Sequence, residues 1–314
     1  MPADSLTPFI PESGPALGQL GWFALLLIIA VVLGEFVHLL RLPRLIGYVV
    51  AGMILGPHGS GLMHFSTVTD LRVLVDVALG LMLFELGHWL DLSWLKRNPW
   101  LIVTSILEAA LTFFAVYGAL RLAGVANIYA TGAAAIGMST SPAVIVQITR
   151  ELRSQGQVTE RLRMLTALNS AYAVIAITFW LSWLHMEYRG SPSTAVLHPL
   201  YLIAGSIALG LMVAVFAGVI PRWLRGHPNT ALLLLLGLIL LLIAAARAVG
   251  LTPLLTLLTF GVVARHWVGW LRVLPSHFAT ISSVTAVVLF ALIGASLNFG
   301  LLREAAVAAV AFML

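Results

Sequence analysis

Ten apolar stretches of about twenty residues, the length that crosses a bilayer as a helix, constrain this chain more than any single motif. They fall near residues 17–40, 43–57, 70–91, 99–123, 127–149, 160–184, 197–220, 229–249, 252–268 and 280–300, with brief loops between them. An eleventh opens at about 304 and meets the end of the sequence at Leu314. The second and ninth are short, which suits a tilted or partly re-entrant segment. Lipid offers no hydrogen-bond partner, so every span must close its own backbone, and helices do so. The expected fold is therefore an all-α polytopic membrane protein of about ten complete transmembrane helices plus a truncated eleventh. Residues 1–16 are polar and Pro-rich and carry no Lys or Arg. They read as an extracytoplasmic tail, not the charged start of a signal peptide. Residues 17–314 then form one transmembrane domain.

Composition excludes several alternatives. Charged residues are 9% of the chain and hydrophobic ones 61%, against roughly 25% charged in soluble domains. Without cysteine there is no disulfide framework and no thiolate metal site. The net charge of +5 comes from arginines scattered along the chain, not from a basic stripe with interleaved aromatics, so nucleic acid is not an expected partner. No arrangement of nucleophile, base and oxyanion donors stands out, and no metal-ligand spacing; neither an enzyme nor a cofactor is expected.

Placement of the cations gives an orientation, because cytoplasmic loops are enriched in Lys and Arg. Twelve of the seventeen follow odd-numbered spans: Arg41, Arg44, Lys96, Arg97, Arg150, Arg153, Arg161, Arg163, Arg222, Arg225, Arg265 and Arg272. The other side has five: Arg72, Arg121, Arg189, Arg247 and Arg303. This predicts an N-terminus outside and odd loops in the cytoplasm, in the cell (inner) membrane.

Polar groups at membrane depth are costly and mark pathways or binding sites by default. Near the middle of the fifth span stands Ser139-Thr140-Ser141-Pro142. Pro disfavours helix at the preceding residue and opens a new helix when a hydroxyl residue precedes it. The span should therefore stop at mid-membrane and restart, a device whose half-helix ends bind ions in transporters. A plain Pro kink, with hydroxyls satisfying freed carbonyls, is the simpler alternative. Gly132, Gly137 and the small residues between them predict a second helix packed very close. In the sixth span Thr166, Asn169, Ser170 and Ala173 share one small, polar face. Either an ion site or an interhelical hydrogen bond would explain it. The tenth span ends with Gly294-Ala295-Ser296-Leu297-Asn298, and Gly294 and Ser296 suggest a second helix break. It runs in the opposite sense to the fifth, as inverted repeats with a substrate site at their crossing would require.

Four segments carry a resemblance. "RLPRLIGYVVAGMILGPHG" (41–59), "DVALGLMLFELGHWLDL" (76–92), "GAAAIGMSTSPAVIVQITREL" (132–152) and "VLFALIGASLNF" (288–299) occur in the order and spacing of the monovalent cation:proton antiporter superfamily. The chain looks most like its second branch, which holds Kef-type potassium efflux proteins and bacterial Na+/H+ antiporters. The resemblance implies an inverted-repeat bundle with two discontinuous crossing helices and proton-coupled exchange of Na+ or K+ by an elevator-like motion. It implies a dimer-forming scaffold, here about 17–91 and 229–268, and a moving core, about 99–184 and 280–314. Thr140, Ser141, Asn169 and Ser170 become the expected ion-binding residues, and a homodimer is the expected assembly in the lipid bilayer. Relatives continue for about two more helices, so the second half of the core is expected to be incomplete.

One departure bears on mechanism. In these antiporters the sixth span carries an acid that holds cation and proton in turn, and Ser170 occupies its place. A carboxylate changes charge near pH 4, higher when buried; a Ser hydroxyl offers dipoles alone. Glu85 and Glu108 are the candidate proton-carrying acids in its stead. Glu85 could instead snorkel or pair with Lys96 or Arg97, or share a proton with His88 one turn on. Glu35 and His38 read as structural, Asp76 as interfacial near the outer end, and Arg247 and Arg265 as anchors. Two function classes remain: a cation:proton exchanger with displaced or altered coupling, and a non-transporting scaffold or sensor.

Overall fold

In a computed structural model the described residues are 18–63, 65–189, 192–220, 228–271, 277–298, 300 and 306–313. The tail expected over 1–16, the start of the eleventh span and the loop cations Arg222, Arg225, Arg272 and Arg303 lie outside them. Among the described residues there is no strand. The helices are α1 (Gln19–Leu39), α2 (Arg44–Leu55), α3 (Phe65–Asp70), α4 (Arg72–Trp89), α5 (Leu92–Arg97), α6 (Pro99–Leu122) and α7 (Asn127–Gly137). They continue with α8 (Pro142–Glu151), α9 (Gln157–Arg189), α10 (Pro192–Val219), α11 (Pro228–Ala248), α12 (Pro253–Trp267), α13 (Phe278–Ser296) and α14 (Ala306–Met313). Each of the ten expected spans is helical. Among the described residues seven are long and apolar enough to cross a membrane: α1, α6, α7 with α8, α9, α10, α11 and α13. α2 and α12 are short, as the sequence suggests, and α4 carries Arg72, Asp76 and Glu85 within eighteen residues.

The chain divides into two compact units: residues up to Arg72 with Val287–Leu297, and Val73–Ala286 with the residues from Asn298 onward. In the first, α1 and α2 pack closely after a tight turn, and Arg44 holds Glu35 through two bonds of 2.9 and 3.2 Å. This fits the structural role expected of Glu35. A Cβ on Gly52 would run into the Ala291 carbonyl, and one on Gly294 into the Val49 carbonyl. The glycines let two helix backbones touch, the small-residue packing that replaces hydrophobic drive inside lipid.

That contact gives Gly294 a packing role. α13 is regular through Gly294 and ends at Ser296, whose hydroxyl bonds back to the Leu292 carbonyl at 2.9 Å. Leu297 and Asn298 are non-helical, so the helix stops within the expected segment; Gly294 serves besides as a packing notch, and Ser296 is a residue of the last turn.

The second unit is built on α4, α10, α11 and α12. Phe84 lies 5.0 Å from Phe260 and 5.9 Å from Phe278, ring centre to ring centre, within a core that includes Leu81, Leu235, Ile239 and Leu257. Gly87 faces the Leu258 carbonyl and Gly261 the Phe84 carbonyl, so α4 and α12 lie backbone to backbone. The predicted close neighbour of Gly132 is α9, whose Trp180 ring a Cβ there would meet, while Gly137 lies against Phe312 of α14. α5 is too short to leave a periodic signature; Asp91 caps it by accepting from the amides of Ser93 and Trp94.

A candidate ion site at a broken helix

The fifth span is interrupted where the sequence places the interruption. α7 ends at Gly137, α8 begins at Pro142, and Ser139–Ser141 are non-helical. Ser141 is the residue before the new helix, with extended backbone, but its hydroxyl makes no capping bond. Capping is not what the hydroxyl does, and Ser141 is exposed.

Ser170 of α9 closes the gap instead. It is 2% exposed, and its hydroxyl donates to the Thr166 carbonyl at 2.8 Å and the Thr140 carbonyl at 3.2 Å. Thr140 has lost its partner in the helix ladder, and Ser170 supplies one, as buried carbonyls require. A carboxylate at this place would set a negative charge against the Thr140 oxygen unless a proton or a cation lay between them. The hydroxyl has its proton built in, and so stands permanently in the equivalent of the protonated state.

Thr166, Asn169, Ser170 and Ala173 are all buried, so the small polar face of α9 does face protein. Its members differ in direction. The Asn169 amide oxygen accepts from Ser105 of α6 at 3.2 Å, the interhelical bond that is the simpler of the two explanations. Ser170 turns to the break.

Ser139, Ser141, Pro142 and Ser170 line a cavity of about 300 Å³. Its other walls come from α4, α11 and α12 and are apolar except for Asp76 and Arg247. These two pair at 2.6 Å, with 17% and 54% of their side chains exposed. Asp76 lies in the N-terminal part of α4 and Arg247 in the last turn of α11. Of the four expected ion-binding residues Ser141 and Ser170 line it and Thr140 and Asn169 do not, and neither expected proton carrier does.

Glu108 lies on the exposed face of α6 beside Ile106, Leu107 and Leu111. Glu85 is 4% exposed and is bound by Arg150 at 2.5 and 2.6 Å and by the Ser282 hydroxyl at 3.0 Å. Its partner is thus Arg150, not Lys96 or Arg97. Arg150 also donates to the Ser283 hydroxyl at 3.2 Å. The His88 ring nitrogen Nε2 meets the Leu271 carbonyl at 2.7 Å. In the sequence Arg150 counts toward topology alone. A signal was available, since Arg150 follows Pro142 by two helical turns and an arginine on a mid-membrane half-helix needs an acid.

Arg265, read as an anchor, ties down the end of α4 through the His88 and Trp89 carbonyls at 2.9 and 3.2 Å and Asp91 at 3.1 Å. Arg163 of α9 lies over the Trp89 ring at 4.3 Å, a cation–π contact on the same end. One end of α4 is bolted to its neighbours by charge, and the other borders an open cavity.

The fold is shared with a solved structure, that of the sodium proton antiporter MjNhaP1 from Methanocaldococcus jannaschii at pH 8. The likeness has a TM-score of 0.70 at 18% identity and covers 91% of this chain and 72% of that one. A search of curated proteins finds no match. The family described as "Sodium/hydrogen exchanger, transmembrane" matches residues 24–314. Broken helix, multi-pass architecture and sequence agree, and the chain belongs to the transmembrane sodium/hydrogen exchanger family, within the monovalent cation:proton antiporters, which are transporters and not enzymes.

Proposed function

We propose that this protein is a secondary transporter that exchanges Na+ or K+ for protons, with the cavity at the broken helix as its ion path. The observation that carries the reading is the Ser170 hydroxyl, which lines that cavity together with Ser139 and Ser141 and meets the freed Thr140 carbonyl at the break. The ion-binding oxygens are the Thr140 carbonyl and the Ser141 and Ser170 hydroxyls, while Asn169 fixes α9 against α6. A dehydrated monovalent cation needs such dipoles and no more. With the N-terminus outside, as the cation count has it, the Asp76 end is external and the Glu85–Arg150 end cytoplasmic. In the family's scheme α8 belongs to the moving core and α4 to the scaffold. The Glu85–Arg150 pair then holds the inner side shut and must part for the site to change sides. A homodimer in the inner membrane is the assembly proposed.

The fixed proton of Ser170 favours a second reading: a relative that keeps the fold but conducts uncoupled or does not transport. Proteoliposomes with an entrapped pH dye separate the two. Exchange predicts internal pH changes when Na+ or K+ is added outside, with membrane voltage clamped. Cation uptake without pH change would establish uncoupled transport, and neither signal would leave the scaffold reading.

A further inference from the structure

We propose that Asp76 is a monovalent-cation capture site, occupied at rest by the guanidinium of Arg247. Among the residues lining the cavity these are the charged ones. No carboxylate stands at Ser139–Pro142 or at Ser170, so a cation drawn into this cavity finds its negative charge at Asp76.

The two acids of α4 show why this pair can exchange partners. Arg150 grips both oxygens of Glu85, and the Glu85 side chain is 5% exposed. Arg247 reaches Asp76 through one nitrogen and one oxygen, at 2.6 Å, and is itself 54% exposed. Released, Arg247 keeps water and Asp76 keeps a free ligand oxygen. Pairs as exposed as this are worth about 0–1 kcal/mol, so a cation can compete with the guanidinium. The apolar walls beside Asp76 strengthen its field within the cavity. A captured cation then has Ser139, Ser141 and Ser170 among the other lining residues of the same cavity. Asp76 binds and delivers; the inference deepens the exchange reading, and depends on it only for the steps after capture.

The test is equilibrium binding of Na+ and K+ to purified full chain in nanodiscs, by radiotracer or calorimetry, run beside the flux assay. Asp76→Asn is expected to weaken binding at least tenfold. Arg247→Gln is expected to tighten it several-fold, because the resident competitor is gone, and a misfolded variant cannot mimic a gain. Asp76→Asn with Arg247→Gln is expected to stay weak. Wild-type binding retained in Asp76→Asn, recovered in the double variant, unimproved in Arg247→Gln, or absent altogether would overturn the proposal. Binding that depends on Asp76 without any flux would keep the capture site and discard exchange.

Discussion

The two ends of α4 each hold an acid and an arginine from another helix, yet they do opposite things. At the Glu85 end the acid is buried, one Arg150 nitrogen holds both its oxygens and Ser282 joins it; at the Asp76 end one oxygen is held, the arginine is exposed and the pair borders the cavity. Burial separates a lock from a gate. Removing one partner of a buried pair leaves a charge with nowhere to go, whereas an exposed pair falls back on water. On the exchange reading proposed above, the Asp76 end of this helix opens first.

The comparison can be broken most easily at the lock. Glu85→Gln should lower unfolding free energy by about 3–5 kcal/mol, because it strands the Arg150 charge. Glu85→Gln combined with Arg150→Met should recover most of that loss. Denaturation in detergent would check both, and equal damage from the double variant would mean that packing rather than charge matters there. Asp76→Asn should cost about 1 kcal/mol or less in the same measurement. A loss as large as that of Glu85→Gln would erase the contrast.

Ser105→Ala removes the bond to Asn169 and should be smaller still, about 0.6 kcal/mol, typical of interhelical hydrogen bonds in membranes. The result matters for its location, since Asn169 lies off the cavity. Cation binding should be unchanged in Ser105→Ala, and a loss there would put Asn169 back among the ligands. Ser170→Asp sharpens the picture in the other direction. A carboxylate against the Thr140 carbonyl needs a proton or a cation between them, so cation-driven pH change in proteoliposomes should grow. No growth would count against the break as the ion path.

Much of this was legible in the sequence, for physical reasons. The spans were, because lipid imposes one length and one periodicity on every helix. The break at Pro142 was, because a ring without an N–H cannot continue a helix ladder. The partners were not. Glu85 and Arg150 lie sixty-five positions apart, and nothing local tells an arginine at the end of one half-helix which acid it will meet. The packing role of Gly294 was hidden for a related reason: that it lets a neighbour touch the helix shows only when the Val49 carbonyl is seen against it. Ser170 was found at its position by resemblance, but its bond to Thr140 needed the fold.

Single-sided access to the break can be read from thiol chemistry, since the chain has no cysteine of its own. Ser141→Cys lines the cavity, and a membrane-impermeant maleimide can be offered from either face of oriented vesicles. Labelling of Ser141→Cys from the face that bears the N-terminus, blocked from the other while Glu85 and Arg150 are paired, is the predicted result. Labelling from the opposite face alone would contradict it.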